Sequence, residues 1–347
     1  MTPRAQSGGE SVKALVLSEK GKLLLKEVET PVISPGEVLL RVKACGVCGS
    51  DLPRIFGDIA YFYPLIPGHE FAGEVVEVGE NVDKSWLGKR VTVYPLIPCR
   101  KCAFCEAGFY ELCDNYDYLG SRRHGAFAEY VAVPVENLVS LPEDVSFVEG
   151  AMTEPAAVTF HALRRVDFCL GEQVVVFGLG PIGLLAGIWA RVSGARFLWG
   201  VDIDERKFPL AKEVGFDAML HPTFLNRIEA PGVVIEASGS EKAFLAGLAL
   251  VRKRGKVLLL GNQEKEVMLA PKEWSHIMRK ELTLLGSWNS RFSRFDSDWE
   301  KVLRFEAEKR VSFGPLVSHR VSLEEAPSML EAMYRKTVSY TKVIIEP

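Results

Sequence analysis

The sequence predicts an α/β protein in two parts, a β-rich domain and a doubly wound parallel-sheet domain. Three observations carry that prediction. The chain has 347 residues, beyond the size at which one core usually stops growing. From Val12 to about Pro142, short apolar or alternating runs stand between Gly, Pro and Asn breaks, which is the pattern of short strands and turns. After about Glu154, strand-like runs alternate with helix-like ones. Such alternation implies a parallel sheet covered on both faces.

Taken in order, VKALVL, KLLLKEV, EVLLRVKACGV, EFAGEVVEVGE and RVTVYPL are the expected strands of the first part. QVVVFGLG, FLWGVDID, GVVIEASG and KVLLLG are strands of the second, with helices in PIGLLAGIWARVSGA, ERKFPLAKEVGFD and KAFLAGLALVRKRG. From about Ser293, a helix in SDWEKVLRFEAEKR and a final strand in YTKVIIEP resemble the first part and are expected to return to it. The expected division is therefore 1–155 with 292–347, and 156–291. Residues 1–10, rich in Ser, Gly and polar types, read as a loose tail.

A hydrophobic content of 48%, 25% charged residues and a net charge of -3 describe an ordinary globular protein. They argue against a nucleic-acid or membrane surface. No apolar run approaches the roughly 18 residues of a membrane span, and the N-terminal stretch lacks a secretory signal. The expected compartment is the cytoplasm, where stable disulfides are disfavoured.

That compartment bears on Cys99, Cys102, Cys105 and Cys113, which follow C-x2-C-x2-C-x7-C within a lobe at about 95–115. One short lobe can bring four such sulfurs around a single tetrahedral ion. Zinc is the natural candidate and an iron-sulfur cluster the rival. The fourth cysteine, seven residues on and without a following proline, favours zinc. Four thiolates saturate the ion, so this metal has a structural part, supplying folding energy to a protruding lobe.

VVVFGLGPIGLL places Gly178, Gly180 and Gly183 in GxGxxG, with Pro181 and Ile182 between, directly after an apolar strand and at a helix start. In that context the glycines allow a tight turn, close approach to a pyrophosphate and close helix packing, and the helix N-terminus offers donors to the anion. Asp202, at the end of the next strand, stands at about the distance of 20 residues expected of the acid that binds an adenosine ribose. NAD is favoured over NADP, although Arg206 leaves room for relaxed specificity. The alternative is a glycine-rich structural turn beside a solvent-facing acid.

A second set of ligand types is scattered: Cys48 in CGVCGSD, His69 and Glu70 in PGHE, and Glu154 in TEP. Their spacing alone does not separate a metal site from packed side chains. Cys45 and Cys169 read as packing residues, and His124, His161, His221, His276 and His319 show no ligand spacing.

CGVCGSD, PGHEFAGEVVEVGENV, the four-cysteine lobe, GAFAEY, EP and VVVFGLGPIG occur in that order. Through them the chain resembles the zinc-dependent medium-chain dehydrogenases from about Val12 to Pro347. It resembles most their polyol dehydrogenase branch, which uses a glutamate at the position of Glu154 where simple alcohol dehydrogenases have a cysteine. The resemblance implies a GroES-like catalytic domain and a Rossmann domain, and a homodimer or homotetramer. It implies a catalytic zinc on Cys48, His69 and Glu154, with Glu70 beside it as a possible ligand, and a second, structural zinc on the cysteine lobe. Such an ion, with one open position, acts as a Lewis acid on a substrate hydroxyl while hydride leaves for NAD. Ser50 matches the family hydroxyl that starts proton removal. Pro53 replaces the histidine with which simple alcohol dehydrogenases continue that relay.

The same resemblance implies a sugar-alcohol substrate, with a phosphorylated hexitol favoured and galactitol 1-phosphate to tagatose 6-phosphate the specific expectation. A phosphate calls for arginine, and SRRHG supplies Arg122 and Arg123. Arg54 and Arg291 come from segments that the family fold places near the cleft, Trp288 is a candidate lining residue, and Asn289 stands where sorbitol dehydrogenases usually have an arginine. Tyr61, Phe62 and Tyr63 either line the pocket or fill core. A free polyol of the sorbitol, xylitol or arabitol type is the alternative. The remoter one is a non-enzymatic dinucleotide-binding redox sensor.

Overall fold

A computed structural model describes residues 11–263 and 265–347. The expected tail at residues 1–10 lies outside them. The chain divides into two units, one made of the residues up to Glu154 together with Phe292–Pro347, the other of Pro155–Arg291. The division falls inside the helix Thr153–Arg164, between Glu154 and Pro155.

The first unit is built on a seven-stranded sheet in which Val317–Val321, Lys342–Ile345, Glu37–Gly46, Glu70–Val78, Arg90–Val93 and Leu138–Ser140 are successive neighbours. Tyr130–Pro134 also pairs with Glu37–Gly46. Strand Glu37–Gly46 holds the middle, and its burial on both faces explains its near-continuous apolar run. Its last residue, Gly46, lies opposite Glu70 on one side and opposite Ile344 on the other. The C-terminal strand thus enters the sheet beside residues some three hundred positions earlier. Leu40, Phe71, Leu65, Phe127, Val343 and Leu330 belong to one core cluster, so the C-terminal segment shares the core of this unit.

In the second unit the sheet order is Ala218–Leu220, Phe197–Val201, Gln173–Phe177, Val233–Glu236, Lys256–Leu259, Thr283–Gly286, and every pair is parallel. The first strand in sequence lies between the second and the fourth of the six, the order of the dinucleotide-binding fold with its switch point at the end of Gln173–Phe177. Helix Pro181–Val192 starts there, with Gly180 as N-cap and Pro181 at the first helical position, where a missing N–H is tolerated. The expected fold class, a β-rich domain plus a doubly wound parallel-sheet domain, is the one observed. Among the described residues, no helix is long and apolar enough to cross a membrane.

Candidate active site

The cysteine lobe is built locally. Arg100 and Gly108 take positive φ, 58° and 79°, and these left-handed turns fold the chain back on itself between the cysteines. The sulfurs of Cys99, Cys102, Cys105 and Cys113 all lie within 4.8 Å of one another. Cys113 Sγ accepts from the Cys99 N–H at 3.2 Å. Backbone N–H groups of Asp114 and Cys105 aimed at Cys102 hold its thiol down to about 6, so a thiolate is available at neutral pH. All seven cysteines of the chain are free. Four converging sulfurs fit a closed tetrahedral zinc site.

The second centre draws on distant segments. Cys48 follows strand Glu37–Gly46, His69 immediately precedes strand Glu70–Val78, and Glu154 lies in the first turn of helix Thr153–Arg164. The structure brings Cys48, His69 and Glu70 together, their donor atoms within 4.8 Å of one another. The resemblance places Glu154 first and Glu70 second. Here Glu154 stands outside that group, its Oε1 accepting from the Tyr118 hydroxyl at 3.3 Å. Burial and the neighbouring Glu70 push its carboxyl up to about 7.

Asp51 and Arg54 form the support beneath. Asp51, fully buried, accepts from the Cys48 N–H at 2.9 Å and from Arg54 Nη1 at 3.1 Å, and its Oδ1 is 3.5 Å from His69 Nδ1. That last separation is an ion-pair distance rather than a formed hydrogen bond, yet it orients the ring as a carboxylate behind a metal-binding histidine does. Burial disfavours charge on His69, but Asp51 and Cys48 outweigh it and raise its pKa well above the usual histidine value. On the far side Lys342, 2% exposed, pairs with Glu70 and donates to the Val47 carbonyl at 3.1 Å. A thiol, an imidazole and carboxylates converge here in a buried place, with Arg54 and Lys342 as the neighbouring cations, and such a mixed sulfur, nitrogen and oxygen donor set fits zinc.

Several expected substrate contacts are otherwise engaged. Arg54 is buried and turned inward to Asp51, which makes it a counter-ion beneath the site rather than a substrate group. Arg123 pairs with Glu37 at 2.9 Å. Arg122 differs: its guanidinium sits 4.2 Å from the Tyr116 ring and 4.9 Å from the Tyr61 ring, and Nη1 donates to the Tyr116 carbonyl at 2.9 Å. Trp288 is 55% exposed, and Asn289 adopts φ 55° with its Oδ1 accepting from the Ser290 N–H. Ser50, half-buried, stands just before the helix Asp51–Phe56.

At the glycine turn, Gly178 has φ 92°, and a Cβ on Gly183 would lie 1.8 Å from the Gly178 carbonyl oxygen. The chain itself therefore requires these two glycines. A Cβ on Gly180 would meet nothing within 4 Å, so its space is open for an incoming anion, as a bound pyrophosphate needs. Pro181 and Ile182, both half-buried, begin the helix. Asp202 accepts from the Leu179 N–H at 2.7 Å and from Lys207 Nζ at 2.8 Å. Arg206, expected near Asp202, instead holds Asp204 through two hydrogen bonds of 2.8 and 2.9 Å.

Sequence reasoning missed Asp51, Tyr118, Lys207 and Lys342. Lys342 carried a visible signal, a lysine at the head of the apolar run VII. Asp51 sits within CGSD and Lys207 within DIDERK; Tyr118 had no comparable mark.

Two donor clusters of contrasting type, each able to hold a metal ion, and a glycine turn at the sheet's switch point are the features of a class, the zinc-dependent alcohol dehydrogenases. Residues 34–143 match the family model of the alcohol dehydrogenase GroES-like domain, and residues 181–308 that of the zinc-binding dehydrogenases. The chain belongs to this family: it is an oxidoreductase of the zinc-dependent medium-chain polyol dehydrogenases, for which zinc and NAD are the typical cofactors. It is 33% identical to galactitol 1-phosphate 5-dehydrogenase of Escherichia coli (strain K12), over 97% of this chain and all of the relative. It is 35% identical to sorbitol dehydrogenase of Halalkalibacterium halodurans, over 97% of this chain and 99% of the relative. A crystal structure of galactitol-1-phosphate dehydrogenase from Escherichia coli superposes with a TM-score of 0.90 at 33% identity, covering 96% of this chain and all of that one.

Proposed function

We propose that the chain oxidises a secondary hydroxyl of a phosphorylated hexitol to the ketose phosphate with NAD, and that its substrate is galactitol 1-phosphate, giving tagatose 6-phosphate. One observation carries the choice of a phosphate. A row of side chains runs from Glu154 through the Tyr118 hydroxyl to the Tyr116 ring, 6.3 Å from Tyr118, and on to the Arg122 guanidinium. Ring contacts and the Tyr116 carbonyl hold Arg122 in place without a carboxylate partner among the described residues, which suits it to an anionic substrate end.

Cys48, His69 and Glu154 hold the catalytic zinc in this reading, Asp51 orients His69, and Cys99, Cys102, Cys105 and Cys113 hold the structural one. When bound, zinc supplies Lewis acidity to the substrate hydroxyl and NAD accepts the hydride. Ser50 receives the hydroxyl proton, and Pro53 has no group to pass it on. Gly178, Gly180 and Gly183 make room for the pyrophosphate and Asp202 accepts from the ribose hydroxyls, which favours NAD over its 2'-phosphate. We place the enzyme in the cytoplasm as a homodimer or homotetramer.

Paired phosphorylated and free hexitols with NAD and NADP, followed at the nicotinamide absorbance, test the reading. The expected result is a higher kcat/KM for the phosphorylated member, lost in Arg122→Met while activity on the free polyol persists. A higher value for free sorbitol overturns the substrate. That second reading, a free polyol, draws its support from the sorbitol dehydrogenase relative.

A further inference from the structure

Tyr61 is 62% exposed, yet the chain holds it beside a cation. It lies in a loop, residues 57–64, that is tied at both ends. The Gly57 N–H donates to the Pro53 carbonyl at 2.9 Å, and Leu65 exchanges backbone hydrogen bonds of 2.7 and 3.0 Å with Leu17. This segment meets the turn that carries Arg122 at three points. The Tyr61 ring lies 4.9 Å from the Arg122 guanidinium, the Phe62 ring packs edge-on against His124 at 5.7 Å, and His124 Nδ1 accepts from the Ile66 N–H at 3.2 Å. The turn itself is closed by the Tyr118 carbonyl, which accepts from the N–H groups of Ser121, Arg122 and Arg123 at 3.3, 2.9 and 3.0 Å.

The donors of Arg122 are unequally engaged. Nη1 donates to the Tyr116 carbonyl at 2.9 Å, whereas Nη2 reaches only the Tyr61 hydroxyl, at 3.4 Å, longer than an ordinary N–H···O bond. The Asp117 carboxylate pairs with Arg123 instead, at 3.9 Å. A guanidinium stacks through its faces and hydrogen-bonds at its edge, so the Tyr61 and Tyr116 rings leave Nη2 to an incoming acceptor. The hydroxyl beside it can turn from accepting to donating.

We propose that Tyr61 is a specificity-determining residue: its hydroxyl and Arg122 Nη2 converge on one phosphoryl oxygen and select a phosphorylated substrate over the free alcohol. The oxygen accepts from both donors, and the Tyr61 hydroxyl gives up its bond from Nη2 for one to the phosphate. A neutral hydroxymethyl end gains less, because it brings no charge to the guanidinium. The inference rests on the reading of Arg122 as the phosphate-binding residue.

The test uses the full chain with NAD and compares kcat/KM for galactitol 1-phosphate with kcat/KM for galactitol. Tyr61→Phe keeps a ring over Arg122 and removes the donor. It is expected to lower the ratio of the two values by about tenfold or more, through KM for galactitol 1-phosphate rather than kcat. In an Arg122→Met background the same substitution is expected to change the ratio by less than about twofold, since the two donors act on one oxygen. Tyr61→Ala removes ring and hydroxyl together and is expected to lower the ratio at least as far. A ratio kept in Tyr61→Phe overturns the inference and leaves the phosphate reading standing; if Tyr61→Ala alone lost it, the ring would merely position Arg122. Losses that add in the double variant overturn it too. A wild type with the higher kcat/KM on galactitol overturns the phosphate reading and the inference with it.

Discussion

In the proposed reading, the cysteine lobe and the Cys48 centre are two answers to the same problem of holding a divalent ion. The lobe gathers four like donors from one short stretch, residues 99–113, with two left-handed turns to close it. The Cys48 centre gathers unlike donors from residues 48, 69–70 and 154 and needs Asp51, Arg54, Tyr118 and Lys342 to balance and aim them. A local set of four identical ligands closes around its ion and can only support structure. A dispersed set can leave a position open, because each donor is held by the fold and not by its neighbours in the chain. The difference teaches how, in the proposed reading, the conspicuous cluster can be the inert one.

The sharpest way to break the comparison is to exchange one sulfur on each side. Cys48→Ala should lower kcat/KM by about 10^3-fold or more, the several kcal/mol that a lost Lewis acid represents, with little change in Tm. Cys102→Ser should do the reverse, loosening the lobe and lowering Tm by several degrees, with activity lost only as the lobe or its assembly fails. Metal analysis of both variants should find one zinc of two remaining. If Cys102→Ser kept its Tm and abolished hydride transfer, the two roles would have to be exchanged.

A smaller effect is expected at Tyr118, whose hydroxyl hydrogen-bonds the Glu154 carboxylate. Tyr118→Phe keeps the ring against His69, 5.6 Å between centroids, and removes only that bond. A net hydrogen bond of about 1 kcal/mol predicts a loss of roughly fivefold in kcat/KM. Tm should not move. An unchanged rate would mean that Glu154 needs no orientation, and the contrast between a supported centre and a self-sufficient lobe would weaken.

The same contrast explains what the sequence revealed. Spacing exposed the four cysteines and the glycine turn because their neighbours in space are their neighbours in the chain. Cys48, His69 and Glu154 became legible only through the order of several motifs, since the sheet and a later helix bring them together. Lys342 and Glu70 meet across 272 positions of sequence, and no local pattern records that. Arg54 and Arg123 were misread for a related reason: each has a carboxylate partner, Asp51 or Glu37, and for Arg123 it comes from a distant strand. Arg206, expected near Asp202 as room for relaxed cofactor specificity, is engaged by Asp204, and the cation on Asp202 is Lys207.

Glu306 gives the smallest test and the most direct one of the charge argument. It lies in helix Asp298–Ala307, 6% exposed, with neither carboxylate oxygen hydrogen-bonded. Glu70 is buried in the same unit but has Lys342. Burial, and next the charge of Glu149, push Glu306 up to about 9, which the Phe313 N–H only partly offsets. A carboxyl whose pKa is higher in the folded chain than the ordinary 4.5 binds its proton more tightly when folded, so its contribution to stability is whole below pH 4.5. It is lost as the pH rises through 9, at no more than about 1.4 kcal/mol per pH unit. Glu306→Gln removes that slope and leaves a buried amide in its place. The variant should match the wild type near pH 4.5 and gain on it steadily as the pH rises towards 9, with kcat/KM unchanged. Parallel denaturation curves between pH 5 and 9 check it; equal slopes in the two proteins would mean that Glu306 is ionised at neutral pH and that burial without a cation costs this fold nothing.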